Sequence, residues 1–239
     1  MTVDLSSPAR TVIVMAARTT DEHPAIAWMA ILFAVGAGCF LVAALASQWA
    51  STPRDAIGIT FFAGSICFTS AAYLQHWLAV RDAPPWRPGA DWSLLHPARW
   101  PVRHVAVLAS LIQLVGTVFF NVNTFEAMKE GLSPMQVNLR VWTPDAIGSI
   151  CFLVSSQMAF SVVCRRWFAL GPRTRDWWIG LVNLLGSIAF GVSAVASLIQ
   201  PSTAEPVSAH VANGATAAGA LGFLIGAPML YPRRGGQTP

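Results

Sequence analysis

Six stretches of about 20 residues, almost free of charge, dominate this chain: 26–47, 56–79, 104–125, 145–164, 177–199 and 212–231. A helix of that length crosses roughly 30 Å of hydrocarbon. None of the stretches alternates polar with apolar residues, so barrel strands are excluded. Within lipid the remaining way for a backbone to satisfy its own N–H and C=O groups is a helix. The expected fold is therefore an all-α integral membrane protein of six transmembrane helices. They pair as three tandem hairpins over 26–79, 104–164 and 177–231. Composition agrees: 11% of the residues are charged, against about 25% in a soluble domain.

Basic residues set the expected orientation. With the N-terminus in the cytoplasm, twelve of the fifteen basic residues fall inside, from Arg10 and Arg18 through Arg81, Arg103 and Arg166 to Arg233 and Arg234. Only Arg54, Lys129 and Arg140 fall outside. The chain then reads as a multi-pass protein of the cell (plasma) membrane with both termini cytoplasmic. Residues 1–24 and 232–239 are tails, 25–231 is one transmembrane domain, and 80–103 is a cytoplasmic loop rich in Pro and Trp. Trp28, Trp77, Trp167, Trp177 and Trp178 at inner helix ends, and Trp49 and Trp142 at outer ends, read as an interfacial belt. Fourteen of the fifteen basic residues are Arg, which points to a GC-rich bacterial genome.

Within the segments a short pattern recurs. Gly-x-x-x-Phe occurs at Gly36–Phe40, Gly64–Phe68, Gly116–Phe120, Gly148–Phe152, Gly186–Phe190 and Gly219–Phe223, with a seventh instance at Gly58–Phe62. Random placement of 18 Gly and 13 Phe gives about one such pair, so the pattern is an internal repeat. Residues i and i+4 share a helix face. Gly lets a neighbouring backbone approach and Phe fills the adjoining gap, which is how helices associate in lipid. The second segment matches the fourth either through DAIG (55–58 against 145–148) or through GSICF (64–68 against 148–152), which leaves its register open. In the sixth segment Gly214, Ala218, Gly222 and Gly226 extend the small-residue face at four-residue spacing. Asp55, Asp145 and Asn213 stand at the starts of the even segments and read as helix caps.

These hairpins resemble the YrhK-like family of small bacterial membrane proteins. The likeness is carried by Gly116-Thr-Val-Phe-Phe120-Asn, Pro144-Asp-Ala-Ile-Gly-Ser-Ile-Cys-Phe152 and Gly186-Ser-Ile-Ala-Phe190-Gly. It covers the three hairpins, most strongly 105–230, and implies membrane location and hairpin units but no activity, cofactor or catalytic residue.

Polar side chains inside lipid are the default functional candidates. Here they are Gln113, Asn121, Asn123, Gln157 and Asn183, read as interhelical hydrogen bonds or as the lining of a solute path. Gln113 and Asn183 each stand three residues before a motif glycine. No Asp, Glu, Lys or Arg is expected in the middle of a segment, which argues against an ion-coupled transporter. His76, His104 and Cys164 fall near inner helix ends without the spacing of a metal site, and Cys39, Cys67 and Cys151 read as small buried apolar residues. With no nucleophile elbow and no phosphate loop, no enzyme activity, cofactor, metal or nucleic acid is expected. The leading expectation is a structural or accessory membrane protein with the lipid bilayer as its surroundings and a protein partner or homo-oligomer left open. The alternative is a passive channel or facilitator for a small neutral or weakly polar solute. The two differ in whether the centre of the bundle is filled or open.

Overall fold

The computed structural model describes residues 23–48, 52–83, 102–164, 166–168 and 174–231. Six long helices account for most of them: α1 His23–Ala46, α2 Arg54–Arg81, α3 Val102–Glu126, α4 Pro134–Cys164, α5 Arg175–Ser197 and α6 Ala209–Gly226, the last continued by a 3₁₀ turn Ala227–Leu230. All six are long and apolar enough to cross a membrane. The chain is a multi-pass, all-α membrane protein. The tail 1–22 and most of the Pro/Trp loop, 84–101, lie outside the described residues.

The helices form a closed ring in chain order: each packs on its neighbours in sequence, and α6 returns to pack on α1. Residues 23 and 231 lie at one end of the ring, the near end, where the Arg175 guanidinium donates to the Tyr231 carbonyl at 2.7 Å. The loops within the hairpins lie at the far end, where His210 Nδ1 meets Gln48 Oε1 at 3.0 Å.

Each hairpin is held by the same lock. A Cβ placed on Gly186 would stand 2.9 Å from the Gly219 carbonyl oxygen and 3.1 Å from the Phe223 ring. One placed on Gly219 would stand 2.9 Å from the Gly186 carbonyl and 3.2 Å from the Phe190 ring. Gly36 and Gly64 in the first hairpin, and Gly116 and Gly148 in the second, stand in the same reciprocal relation. Each motif Phe thus lies over the motif Gly of its partner helix, and two backbones meet with no side chain between them. The register of α2 follows: GSICF is its counterpart of 148–152. Gly58 faces Met128 instead, and Phe62 packs on Phe125 with 5.8 Å between ring centroids. Of the small residues on α6, Gly222 and Gly226 pack on α5, whereas Gly214 faces open space and Ala218 is exposed.

The six motif rings meet in the middle of the bundle. Phe40, Phe120 and Phe190 of the odd helices form one triangle, with centroids 6.4, 6.2 and 5.9 Å apart. Phe68, Phe152 and Phe223 of the even helices form a second, at 6.3, 5.9 and 5.5 Å. Within each hairpin the two layers touch at 5.4, 5.1 and 5.8 Å. Helical side chains lean toward the N-terminus of their own helix. The odd and even rings therefore lean toward each other and close into one plug with threefold pseudo-symmetry. Each ring is exposed by 5% or less.

Between hairpins the buried residues are small. Ser65 and Thr124 hydroxyls meet at 3.0 Å across α2 and α3, and Ser156 and Ser187 at 2.7 Å across α4 and α5. On α1 the buried row is Ala30, Ala37 and Ala44, at seven-residue spacing. The belt of tryptophans is only partly one. Trp28, Trp77, Trp167 and Trp178 are exposed, but Trp177 is buried, stacking edge-on to Trp178 and against Phe160. Trp49 lies outside the described residues.

One boundary expectation and three cap expectations are corrected. α4 begins at Pro134, eleven residues before the expected 145. Ser133 caps it in a capping box with Gln136, and a π-helical stretch, Asn138–Trp142, carries it past Pro144. Proline has no N–H to give and its ring crowds the carbonyl four residues back. The wider turn, in which the Thr143 N–H reaches the Asn138 carbonyl, accommodates both. Asp145 is therefore inside a continuous helix and is not its cap; its carboxyl faces the Ser197 hydroxyl. Nor does Asn213 cap α6: Ser208 does, accepting from the Val211 N–H. Asp55 sits in the first turn of α2 behind an N-cap position occupied by Pro53, with no side-chain cap bond.

Candidate functional site: an amide ring beneath the phenylalanine plug

The motif spacing carries a second set of positions toward the axis. Seven residues are about two helical turns, so a side chain seven from a motif Phe, on the near-end side, follows it along the axis. On odd helices these positions hold Phe33, Gln113 and Asn183; on even helices they hold Gln75, Ala159 and Leu230. Each hairpin contributes one carboxamide and one apolar residue. Gln75, Gln113 and Asn183 line one small, partly open cavity of ≈ 30 Å³, together with Phe33, Leu230 and, from the plug, Phe223.

Several hydrogen bonds fix this ring. Ser155 Oγ lies 2.8 Å from the Ala109 carbonyl and 3.3 Å from Gln113 Oε1, tying α4 to α3. Asn183 Oδ1 lies where a Cβ on Gly226 would be, 2.7 Å from that position, so Gly226 makes room for the amide. The Gln75 Oε1 atom is buried and accepts no hydrogen bond. The NH₂ groups of these three amides donate to no described protein atom. An acceptor left in this state costs about 1–3 kcal/mol, so Gln75 Oε1 is an unmet acceptor beside the plug. The chain matches no protein-family profile, no curated protein and no solved structure.

The other polar residues singled out in the sequence stand elsewhere. Asn121 Nδ2 donates to Thr69 Oγ1 at 2.9 Å, joining α3 to α2. Asn123 Nδ2 donates to the Val141 carbonyl at 2.9 Å, in the π-helical stretch of α4. Gln157 Nε2 donates to the Trp167 carbonyl at 2.7 Å at the near end. None of the three lines the cavity; they are contacts between elements. Gln75, in contrast, escapes the sequence reading. Its signal was available: it follows Phe68 by the same seven residues that separate Gln113 from Phe120 and Asn183 from Phe190.

His76 Nδ1 and Ser110 Oγ lie 3.0 Å apart across α2 and α3. Among the described residues no three His, Cys, Asp or Glu side chains gather as metal ligands would. At the far end Trp142 Nε1 donates to the Ala194 carbonyl at 2.7 Å, and Ser193 and Thr216 hydroxyls meet at 2.6 Å. Glu126 is paired with Lys129.

Proposed function

We propose that this chain is a structural or accessory multi-pass protein, YrhK-like, of a bacterial plasma membrane with both termini in the cytoplasm. The observation that carries the role is the plug. Six interlocked rings fill the axis of the bundle, and at each lock the motif glycines let two helix backbones meet closely. A passive facilitator calls for a continuous polar path, and the amide ring ends against Phe223 instead. The location rests on the six apolar helices and on the arginine distribution along the sequence. The family likeness rests on the Gly/Phe motifs.

Flux measurements in proteoliposomes test the role. Across a panel of small neutral solutes, the wild-type chain should match empty vesicles. Flux above that level which falls in Gln113→Leu at equal incorporation would replace this reading with the facilitator.

A further inference from the structure

We propose that the amide ring at the near end is a binding site for one small, neutral molecule that both donates and accepts hydrogen bonds, of the primary carboxamide class. Three observations carry this beyond the structural role. The first is chemical: Gln75 Oε1 is a buried acceptor without a donor, and the accessible NH₂ groups of the amides around the same cavity offer donors to whatever enters it. A guest that donates to Gln75 Oε1 and accepts from a neighbouring NH₂ group matches this lining, and a primary amide does so with one N–H and one C=O side by side. The second concerns charge: among the described residues no Asp, Glu, Lys or Arg lines the cavity. An ion entering it would shed its hydration with no counter-charge in reach, which is costly in such surroundings. The third is arrangement. One carboxamide comes from each hairpin, from different helices and at one distance from the plug, and Gly226 is the residue that lets Asn183 take its place.

Size limits the guest. The cavity volume of ≈ 30 Å³ exceeds the roughly 10–15 Å³ that a single water needs on the same measure. A molecule of about three heavy atoms fits with one edge at the open mouth, and at most about 1.5 kcal/mol per heavy atom makes millimolar affinity the practical ceiling. Phe223 of the plug is part of the lining, so the cavity adjoins the aromatic core. Binding without passage is compatible with the absence of flux expected above, and the two experiments fail independently.

Saturation-transfer NMR on the full chain in detergent micelles tests the site with formamide as the probe. Magnetisation should pass from the protein to the formyl proton of formamide, and not to N,N-dimethylacetamide, which has no donor and is too bulky. In Gln75→Leu/Gln113→Leu the transfer to formamide should fall about tenfold, whereas Gln157→Leu, whose side chain does not line the cavity, should keep it. No transfer to formamide above empty micelles overturns the proposal and leaves at most a resident water. Equal transfer to both probes also overturns it, because it indicates partition into the micelle. The comparison of the two probes uses the wild-type chain alone, so it decides the matter even if the double variant fails to fold.

Discussion

Glycine does two different things along these helices, and α5 shows both within five residues. Gly186 stands where a Cβ would press on the Gly219 carbonyl, a backbone atom that cannot turn aside. Gly191 has nothing within 4 Å of the same added atom. Gly186→Ala should therefore destabilise the bundle by about 1–3 kcal/mol through overpacking. Gly191→Ala should be neutral or stabilise by up to about 1 kcal/mol through helix propensity. Unfolding titrations with SDS in mixed micelles measure both, and equal effects at the two positions would contradict the lock. Phe152 touches four other rings, those of Phe68, Phe120, Phe190 and Phe223. Phe152→Ala should cost about 3–5 kcal/mol in the same titration, well above Phe62→Ala, whose ring pairs with Phe125 outside the plug. The locking glycines were legible because a Phe follows each by one turn. That Gly38, Gly191 and Gly214 are open was not legible, since a helix face acquires its neighbour only in the folded bundle.

Among the elements, α4 departs most from its reading. Its apolar run starts near 145, but its start signal, Ser133 with Gln136 three residues on, precedes a polar stretch that hydropathy passes over. Pro144 looks like a first-turn proline; it is instead the reason for a π turn within a helix already under way. That turn aims Asn138 at the loop after α5. Its Nδ2 donates to the Ile199 carbonyl at 2.8 Å, and its Oδ1 accepts from the Ile199 N–H at 3.0 Å. Asn138→Ala leaves both backbone groups without these bonds and should cost about 1–3 kcal/mol. The loss should show as faster amide exchange of Ile199, while the far-removed Trp177–Trp178 contact keeps its fluorescence. Unchanged exchange at Ile199 would mean that the loop holds itself, through its own pairing of Leu198 with Val207. The remaining helices begin and end within a few residues of their apolar runs, because lipid thickness sets both.

For the whole molecule, closure of the ring is the decisive event. Each Phe triangle takes one ring from each hairpin, so no two hairpins can complete the plug. Removing residues 175–231 should leave two unfilled corners in the core. The truncated chain should then aggregate or be degraded, whereas the separate fragments 1–170 and 171–239, produced together, should reassemble and migrate as one species on size exclusion. Separate migration would show that the plug does not hold the hairpins together. Hairpin pairing and the Gly/Phe contact were foreseeable from the repeat, but whether the rings would fill the centre was not, because that depends on how three hairpins meet. The amide ring was only half visible, because Gln75 belongs to an even helix and joins Gln113 and Asn183 only when all three hairpins surround one axis.

Because every Phe rests on a Gly of the opposite-running helix, the Gly/Phe core reads the same from above as from below. Packing at the centre therefore gives a nascent chain no instruction about which way to enter the bilayer. That choice is left to the arginines at the helix ends. A chain with its basic residues moved to the opposite loops should insert upside down and still close its aromatic heart.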